Sequence, residues 1–145
     1  MAFELVLGTT DSSPGNIRLA KTAVTAMAAG DVLAWNVSSN ALERATSSST
    51  TLTVYGVCVE TRVAADTNVL VCPFGPMQVW RCDVTNTSAT TQIGERAALT
   101  DQATLNNSDS DVTGTTGVFR QLGFVGATTD KKMLVQPLVP GMITA

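Results

Sequence analysis

The side chains that could do chemistry in this chain are three cysteines and twelve carboxylates, and no histidine accompanies them. The lack of histidine excludes the commonest general base, the usual serine and cysteine protease triads and most zinc sites. Cys58, Cys72 and Cys82 are spaced much more widely than the two cysteines of a Cys-x-x-Cys metal knuckle. Each lies in an apolar, strand-like run, so we expect three reduced thiols that are buried as small apolar side chains.

The carboxylates could form an acid–base pair, for example Asp83 with Glu95 or Glu43 with Glu60. No spacing in the sequence brings two of them together, and a solvent-facing strand or turn position accounts for each one. The chain also has no dinucleotide, phosphate-loop or nucleophile-elbow motif. We therefore expect no catalytic residues, no cofactor and no enzymatic activity.

Oxygen ligands recur at Asn107, Asp109 and Asp111, the one-three-five spacing with which a calcium-binding loop begins. The glycine of such a loop comes two positions late, at Gly114, and Val118 stands where the closing glutamate belongs. The alternative interpretation is a polar loop with Asx turns and no bound cation.

Charge and hydropathy patterning restrict the partners. The formal charge is −3 and the nine basic residues are scattered, so no stripe exists to neutralise a row of phosphates. No uninterrupted apolar run approaches the length of a membrane helix, and the start, MAFELVLGTT, lacks the basic and apolar regions of a signal peptide. We expect a protein made in the cytoplasm that binds neither nucleic acid nor membrane.

Short apolar runs alternate with clusters of Ser, Thr, Asn and Gly at short, regular intervals, which is typical of strands. One short helix is expected over TAVTAMAAG, residues 22–30. Residues 100–117 are expected to be a polar connection, long enough to be a functional loop or an ordered excursion. The sequence thus predicts an all-β fold, a small β-barrel or β-sandwich with at most one short helix. The expected strands are 3–7, 16–21, 31–37, 41–46, 53–60, 68–74, 77–84, 95–100, 117–125 and 132–138.

One phrase occurs twice, as DTNVLVCP at 66–73 and as DKKMLVQP at 130–137. Gly30 and Gly94 are separated by the same interval as the two phrases, and each is followed by an acid. We expect both glycines in tight turns with positive φ, where the acid can accept hydrogen bonds from turn amides.

This repetition predicts two similar sheet units, about 30–73 and 94–137, that pack around one core. They would form a single β domain over 21–145, with 1–20 as an N-terminal arm or first strands. The alternative is chance recurrence of residues that any β protein uses.

The first strand, FELVL, places Phe3, Leu5 and Leu7 on one face. A terminal strand of this kind can add to the sheet edge of a neighbouring chain, so these three are the candidate interaction residues. It can equally be a strand of its own barrel. If it acts as an arm, removal of residues 1–10 leaves the barrel folded and weakens assembly.

Several segments together resemble the head decoration, or cement, proteins of tailed bacteriophages. The resemblance spans about 20–138 and is carried by AMAAGDVLAWN, ALERAT, VYGVCVET, NVLVCPFGPMQVW, QIGERAALTDQATLNN and GVFRQLGFVG. It implies a non-enzymatic virion structural protein on the capsid surface that binds the major capsid protein and stabilises the head, commonly as a homotrimer. Alternatives are another virion component, such as a tail, fibre, baseplate or head protein, or a carbohydrate-binding module that uses Trp35 and Trp80.

Overall fold

The computed structural model describes residues 3–7, 15–108 and 116–138, and these form two β-sheets with no α-helix among them. The predicted all-β fold is confirmed. Helical structure in the described residues is limited to two 3₁₀ turns, Thr90–Gln92 and Thr128–Asp130.

The first sheet is antiparallel throughout, with the strand order β2-β6-β5-β3-β4. Valine, leucine and alanine are common in these strands, and consecutive residues such as Val32 and Leu33 are buried on opposite faces of the sheet. Their bounds are β2 (Ile17–Leu19), β3 (Val32–Asn36), β4 (Ala41–Arg44), β5 (Val54–Cys58) and β6 (Val69–Pro73).

The second sheet has the order β8-β11-β12-β7-β10-β9, and β1 (Phe3–Leu7) pairs with β7 beside this path. The strands at the two ends of this order, β8 and β9, follow each other in the chain, and the sheet nearly closes into a barrel. Its one parallel pair among the described strands is β10 with β7. The strands are β7 (Val79–Val84), β8 (Arg96–Ala97), β9 (Leu99–Asp101), β10 (Thr104–Leu105), β11 (Phe119–Phe124) and β12 (Lys132–Pro137).

Corresponding strands of the two sheets are paired in the same way, and they are separated by a nearly constant number of residues along the chain. In the first sheet Gly56 pairs with Pro73, and in the second Phe119 pairs with Pro137. In this way β3, β5 and β6 correspond to β8, β11 and β12. The outer neighbours correspond too, because β2 lies on β6 as β7 lies on β12.

Matching glycine turns lead into the corresponding strands. Gly30 and Gly94 have φ angles of 94° and 91°, a region that favours glycine. The N–H of Gly30 donates to the carbonyl of Cys58 at 2.9 Å, and that of Gly94 donates to the carbonyl of Gln121 at 2.7 Å. The positive φ predicted for these turns is confirmed.

The largest hydrophobic cluster joins both sheets. Phe3 from β1, Trp80 from β7 and Phe119 from β11 pack there with one face of the first sheet, which contributes Val57 and Cys72. A second cluster on the opposite face of the first sheet is built around Leu33, Leu42 and Val71. The interior between the sheets is therefore mainly aliphatic and aromatic, and β1 is part of it.

One prediction of local structure is wrong. Residues 22–30 form no helix, because their amide groups bond to other segments: the N–H of Ala23 donates to the carbonyl of Asp66 and that of Met27 to the carbonyl of Arg62, both at 2.9 Å. A short alanine-rich stretch gains too little from helix formation to compete with such bonds. The predicted connection over 100–117 is ordered in its described first part, which contains the end of β9 and all of β10.

Candidate functional site

The predicted contact residues on β1 do not form one exposed surface. Phe3 is 0% exposed and stacks on Phe119 with ring centroids 5.1 Å apart. Leu5 is half-buried opposite Trp80, and the backbone of Leu7 pairs with Val79 after a register shift. The structure thus places Phe3 inside the protein, where it holds β1 on the second sheet.

A charged pair on the other face of β1 reinforces this attachment. Arg81 of β7 donates a hydrogen bond to the carboxylate of Glu4, which lies directly opposite it in the register. That bond and the guanidinium charge lower the pKa of Glu4. Both side chains are well exposed, so the pair contributes orientation more than stability.

The outer strand of the first sheet, β2, carries a comparable arginine. Arg18 donates to the carboxylate of Glu60 at 2.8 Å and to the side-chain oxygen of Asn68 at 2.7 Å. Arg62 also pairs with Glu60, and the bond from Arg18 is the main cause of the lowered pKa of that carboxyl group. This cluster fixes side chains near β2, and its two arginines share one carboxylate, so it keeps a net positive charge.

An open apolar cavity of about 250 Å³ lies between β1 and the first sheet. Phe3, Leu5, Val57, Val59 and Trp80 are among its lining residues. Its walls are almost entirely hydrophobic, so it offers a surface for apolar contact rather than a place for acid–base chemistry.

The carboxylates considered as acid–base pairs each have separate surroundings. Asp83 accepts a hydrogen bond from Lys132 at 2.6 Å, and Glu43 accepts one from Asn36 at 3.1 Å. Glu60 is held by the arginines described above, whereas one carboxylate oxygen of Glu95 is buried and finds no partner within the described residues. Over the same described residues, the structure records no contact within either of the two predicted pairs.

Only one of the three predicted cation ligands, Asn107, lies within the described residues. Asn107 is fully buried, and its side chain donates to the carbonyl of Asn86 and accepts from the same residue's N–H, both at 2.9 Å. Asp109 and Asp111 lie outside the described residues. The Asn107 oxygen is therefore committed to a backbone bridge that ties the chain after β10 to the end of β7.

Two further kinds of site concern metal ions and membranes. Among residues 3–7, 15–108 and 116–138, no three His, Cys, Asp or Glu side chains come together as a group that could hold a metal ion. The same ranges contain no helix with the length and apolarity needed to cross a bilayer.

All three cysteines are free and buried, as the sequence predicts. Burial raises the pKa of Cys58 to about 11 and raises the pKa of Cys72 and Cys82 as well. The thiols are therefore protonated near neutral pH and are shielded from reagents.

We expect these thiols to react with a disulfide reagent at mildly alkaline pH at least about a hundredfold more slowly in the native protein than after denaturation in guanidinium chloride. Native and denatured samples of the same protein provide the matched comparison. Rapid labelling of any one thiol in the native protein would show that its surroundings are more open than the structure indicates.

Part of the chain matches a known protein family. Residues 10–73 match the model of the phage cement protein family. No curated protein matches the chain. The resemblance to bacteriophage cement proteins that the sequence predicts is confirmed by this family match.

The match makes part of this chain similar to the phage cement proteins, which are structural proteins of the virion. The matched segment contains every strand of the first sheet, from β2 to β6, and none of the second. The second sheet, outside the matched residues, repeats the strand pairing of the first.

The features that sequence analysis missed are the Glu4–Arg81 pair and the exposed edge of β2. The members of that pair are distant in the chain, and nothing in the sequence connects them. The corresponding arginines, Arg18 and Arg81, are separated by nearly the same interval as the repeated phrase. A search of the repeat for charged residues would have found them.

Proposed function

We propose that this protein binds the outer surface of an assembled phage head and stabilises it as a decoration protein. The observation that carries the proposal is the family match, which covers the complete first sheet. Other virion locations, such as tail, fibre or baseplate, are the alternatives, and microscopy of labelled particles separates them from the head.

Several features of the molecule support a passive structural role. Exposed ion pairs engage charged side chains on β1 and β2, and the cysteines are buried and protonated. A sheet-rich protein of this kind keeps its shape through backbone hydrogen bonds and a hydrophobic core, and little in it responds to moderate changes of pH. This suits a protein that clamps its neighbours.

The proposed partners are the major capsid protein and further copies of this chain, assembled as a homotrimer. Closed rings of identical chains bind a symmetric lattice through several equivalent contacts at once, which raises the total affinity above that of one contact. Phe3, Leu5 and Leu7 of β1 take part in assembly in this proposal. Phe3 does so indirectly, by anchoring the strand, whereas Leu5 lies at the open cavity beside the first sheet.

The test is sedimentation of the purified protein with expanded empty heads of its own phage, followed by negative-stain imaging. We expect saturable binding to these heads, no binding to heads of an unrelated phage, and a mass near three times 15.1 kDa in light scattering. Failure to bind the expanded heads contradicts the decoration function, and a monomer in solution and on the head contradicts the trimer alone.

A further inference from the structure

The two corresponding outer strands, β2 and β7, differ in what covers them. The outer edge of β7 is paired along Val79–Cys82 with β1. Within the described residues, β2 pairs with β6 on one side and with no strand along Ile17–Leu19 on the other. One sheet unit thus has a covering strand where its counterpart has an open edge.

Burial at corresponding positions shows the effect of the covering strand. Trp80 of β7 is 2% exposed and lies opposite Leu5 of β1. Ile17 occupies the corresponding place on β2 and is 40% exposed, although it is opposite Val71 just as Trp80 is opposite Val135. The apolar side chain on the open edge lacks the neighbour that β1 supplies on the other sheet.

The backbone of β2 has hydrogen-bonding groups aimed at the open side. The carbonyl of Leu70 in β6 accepts from Val59 at 3.0 Å, on the side of β6 away from β2. Because the direction of backbone groups alternates along a strand, Val69 and Val71 face β2, and their partners Ile17 and Leu19 face β6. The N–H and C=O of Arg18 therefore point outward, toward the open edge.

We propose that the open edge of β2 receives an extended segment of the coat protein, which adds to the first sheet as an antiparallel or parallel strand. The segment carries apolar side chains at alternate positions, as β1 does, and these cover Ile17 and Leu19. This inference rests on the proposed decoration function and on the correspondence of β2 with β7, which pair in the same way with β6 and β12.

The coat protein is a better occupant than a second copy of this chain. The described strand with the required apolar pattern is β1, and its Phe3 is fully buried against Phe119, so a copy could donate it only by opening its own core. Arg18 is already bonded to Glu60 and Asn68. An added strand at this edge therefore meets the outward backbone groups of Arg18, the apolar side chains of Ile17 and Leu19, and a cluster with a net positive charge.

The test compares Arg18→Pro with Arg18→Ala in binding to expanded heads. Proline removes the outward N–H and obstructs an added strand, but it leaves the bonds of Ile17 and Leu19 to β6, and edge strands tolerate it. Alanine removes the same side chain and keeps the N–H. We expect proline to lower the affinity for heads at least about tenfold and alanine to lower it less than about threefold.

A second pair of variants keeps the test decisive if Arg18→Pro fails to fold. Ile17→Lys places a charge where the added strand needs apolar contact, and Val37→Lys changes a more exposed valine in the turn between β3 and β4, at the opposite end of the first sheet. We expect Ile17→Lys to weaken head binding and Val37→Lys to leave it unchanged.

The outcomes separate the two proposals. If the wild type does not bind heads, the decoration function fails and the strand addition fails with it. If the wild type binds and folded Arg18→Pro and Ile17→Lys bind equally well, the strand addition alone is wrong. If these variants lose self-association while keeping head binding, the edge binds a second copy and the choice of the coat protein is overturned.

Discussion

Phe3→Ala is expected to lower the free energy of unfolding by about 3–5 kcal/mol, because it empties a fully buried aromatic site in the largest hydrophobic cluster. The Phe3 ring stacks on Phe119, so its removal also exposes the inner face of β11 to a void. Urea denaturation followed by tryptophan fluorescence measures the loss, since Trp80 lies in the same cluster.

Val6→Ala is the matched control, because Val6 is on the same strand and is 52% exposed. We expect it to change the free energy of unfolding by less than about 0.5 kcal/mol. Equal, small effects of the two substitutions would show that β1 is not held in the core and would favour a free arm.

The burial of Phe3 changes the expected effect of removing residues 1–10. If these residues were a free arm, their removal would leave the barrel folded. The structure instead leads us to expect that their removal destabilises the fold, because β1 covers the edge of β7 and closes one side of the core. Weakened assembly after truncation is then a consequence of lost stability as well as of lost contacts.

The strands were predictable because each is a local pattern. Alternation of apolar and polar residues fixes which side chains face inward, and the polar clusters between runs fix the turns. β10 was missed because Thr104–Leu105 is very short and lies within a polar stretch. It forms because it pairs with β9 and β7, which are chosen by the tertiary fold.

The helix prediction failed for the opposite reason. Alanine favours a helix only where no other segment competes for its amide groups. Here the chain near Asp66 and Arg62 supplies carbonyl acceptors at 2.9 Å to Ala23 and Met27, and two isolated bridges replace the helix. Propensity alone carries no information about such distant partners.

The common interval between the repeated segments predicted two similar units, but side chains at corresponding places differ. Gly56 corresponds to Phe119. A methyl group at Gly56 would overlap the carbonyl oxygen of Cys72, whereas the ring of Phe119 fills the interior of the nearly closed second sheet. The repeat in the sequence predicts the shared strand pairing. Which side chains differ between corresponding positions depends on how closely neighbouring strands approach each other.

The candidate site was less predictable than the fold. Phe3, Leu5 and Leu7 were correctly placed on one strand, but whether that strand covers its own sheet or another chain depends on β7, which is distant in the sequence. The open edge of β2 is likewise defined by which strands are adjacent in space. The sequence of one chain predicts the strands. The uncovered edge of β2 is recognised only when the two folded sheets are compared.

Trp80→Ala is expected to cost about 3–5 kcal/mol of folding free energy, since the indole is 2% exposed and packs at right angles to Phe74 with centroids 5.7 Å apart. Its N–H donates to the side-chain oxygen of Gln78 at 3.0 Å, so the polar atom is also satisfied inside the protein. Urea denaturation of the variant measures the loss.

Trp80→Phe is the control, because it keeps an aromatic ring in the core while it removes the N–H donor, and we expect a clearly smaller loss than for alanine. The same experiment bears on the carbohydrate-binding alternative, which needs an exposed aromatic face for stacking on a sugar. A Trp80→Ala protein that stays fully stable but loses binding on a glycan array would contradict the core role. Loss of stability by the amount expected leaves Trp80 as an element of the scaffold, and a sugar site would then depend on Trp35, which packs edge-on against Tyr55.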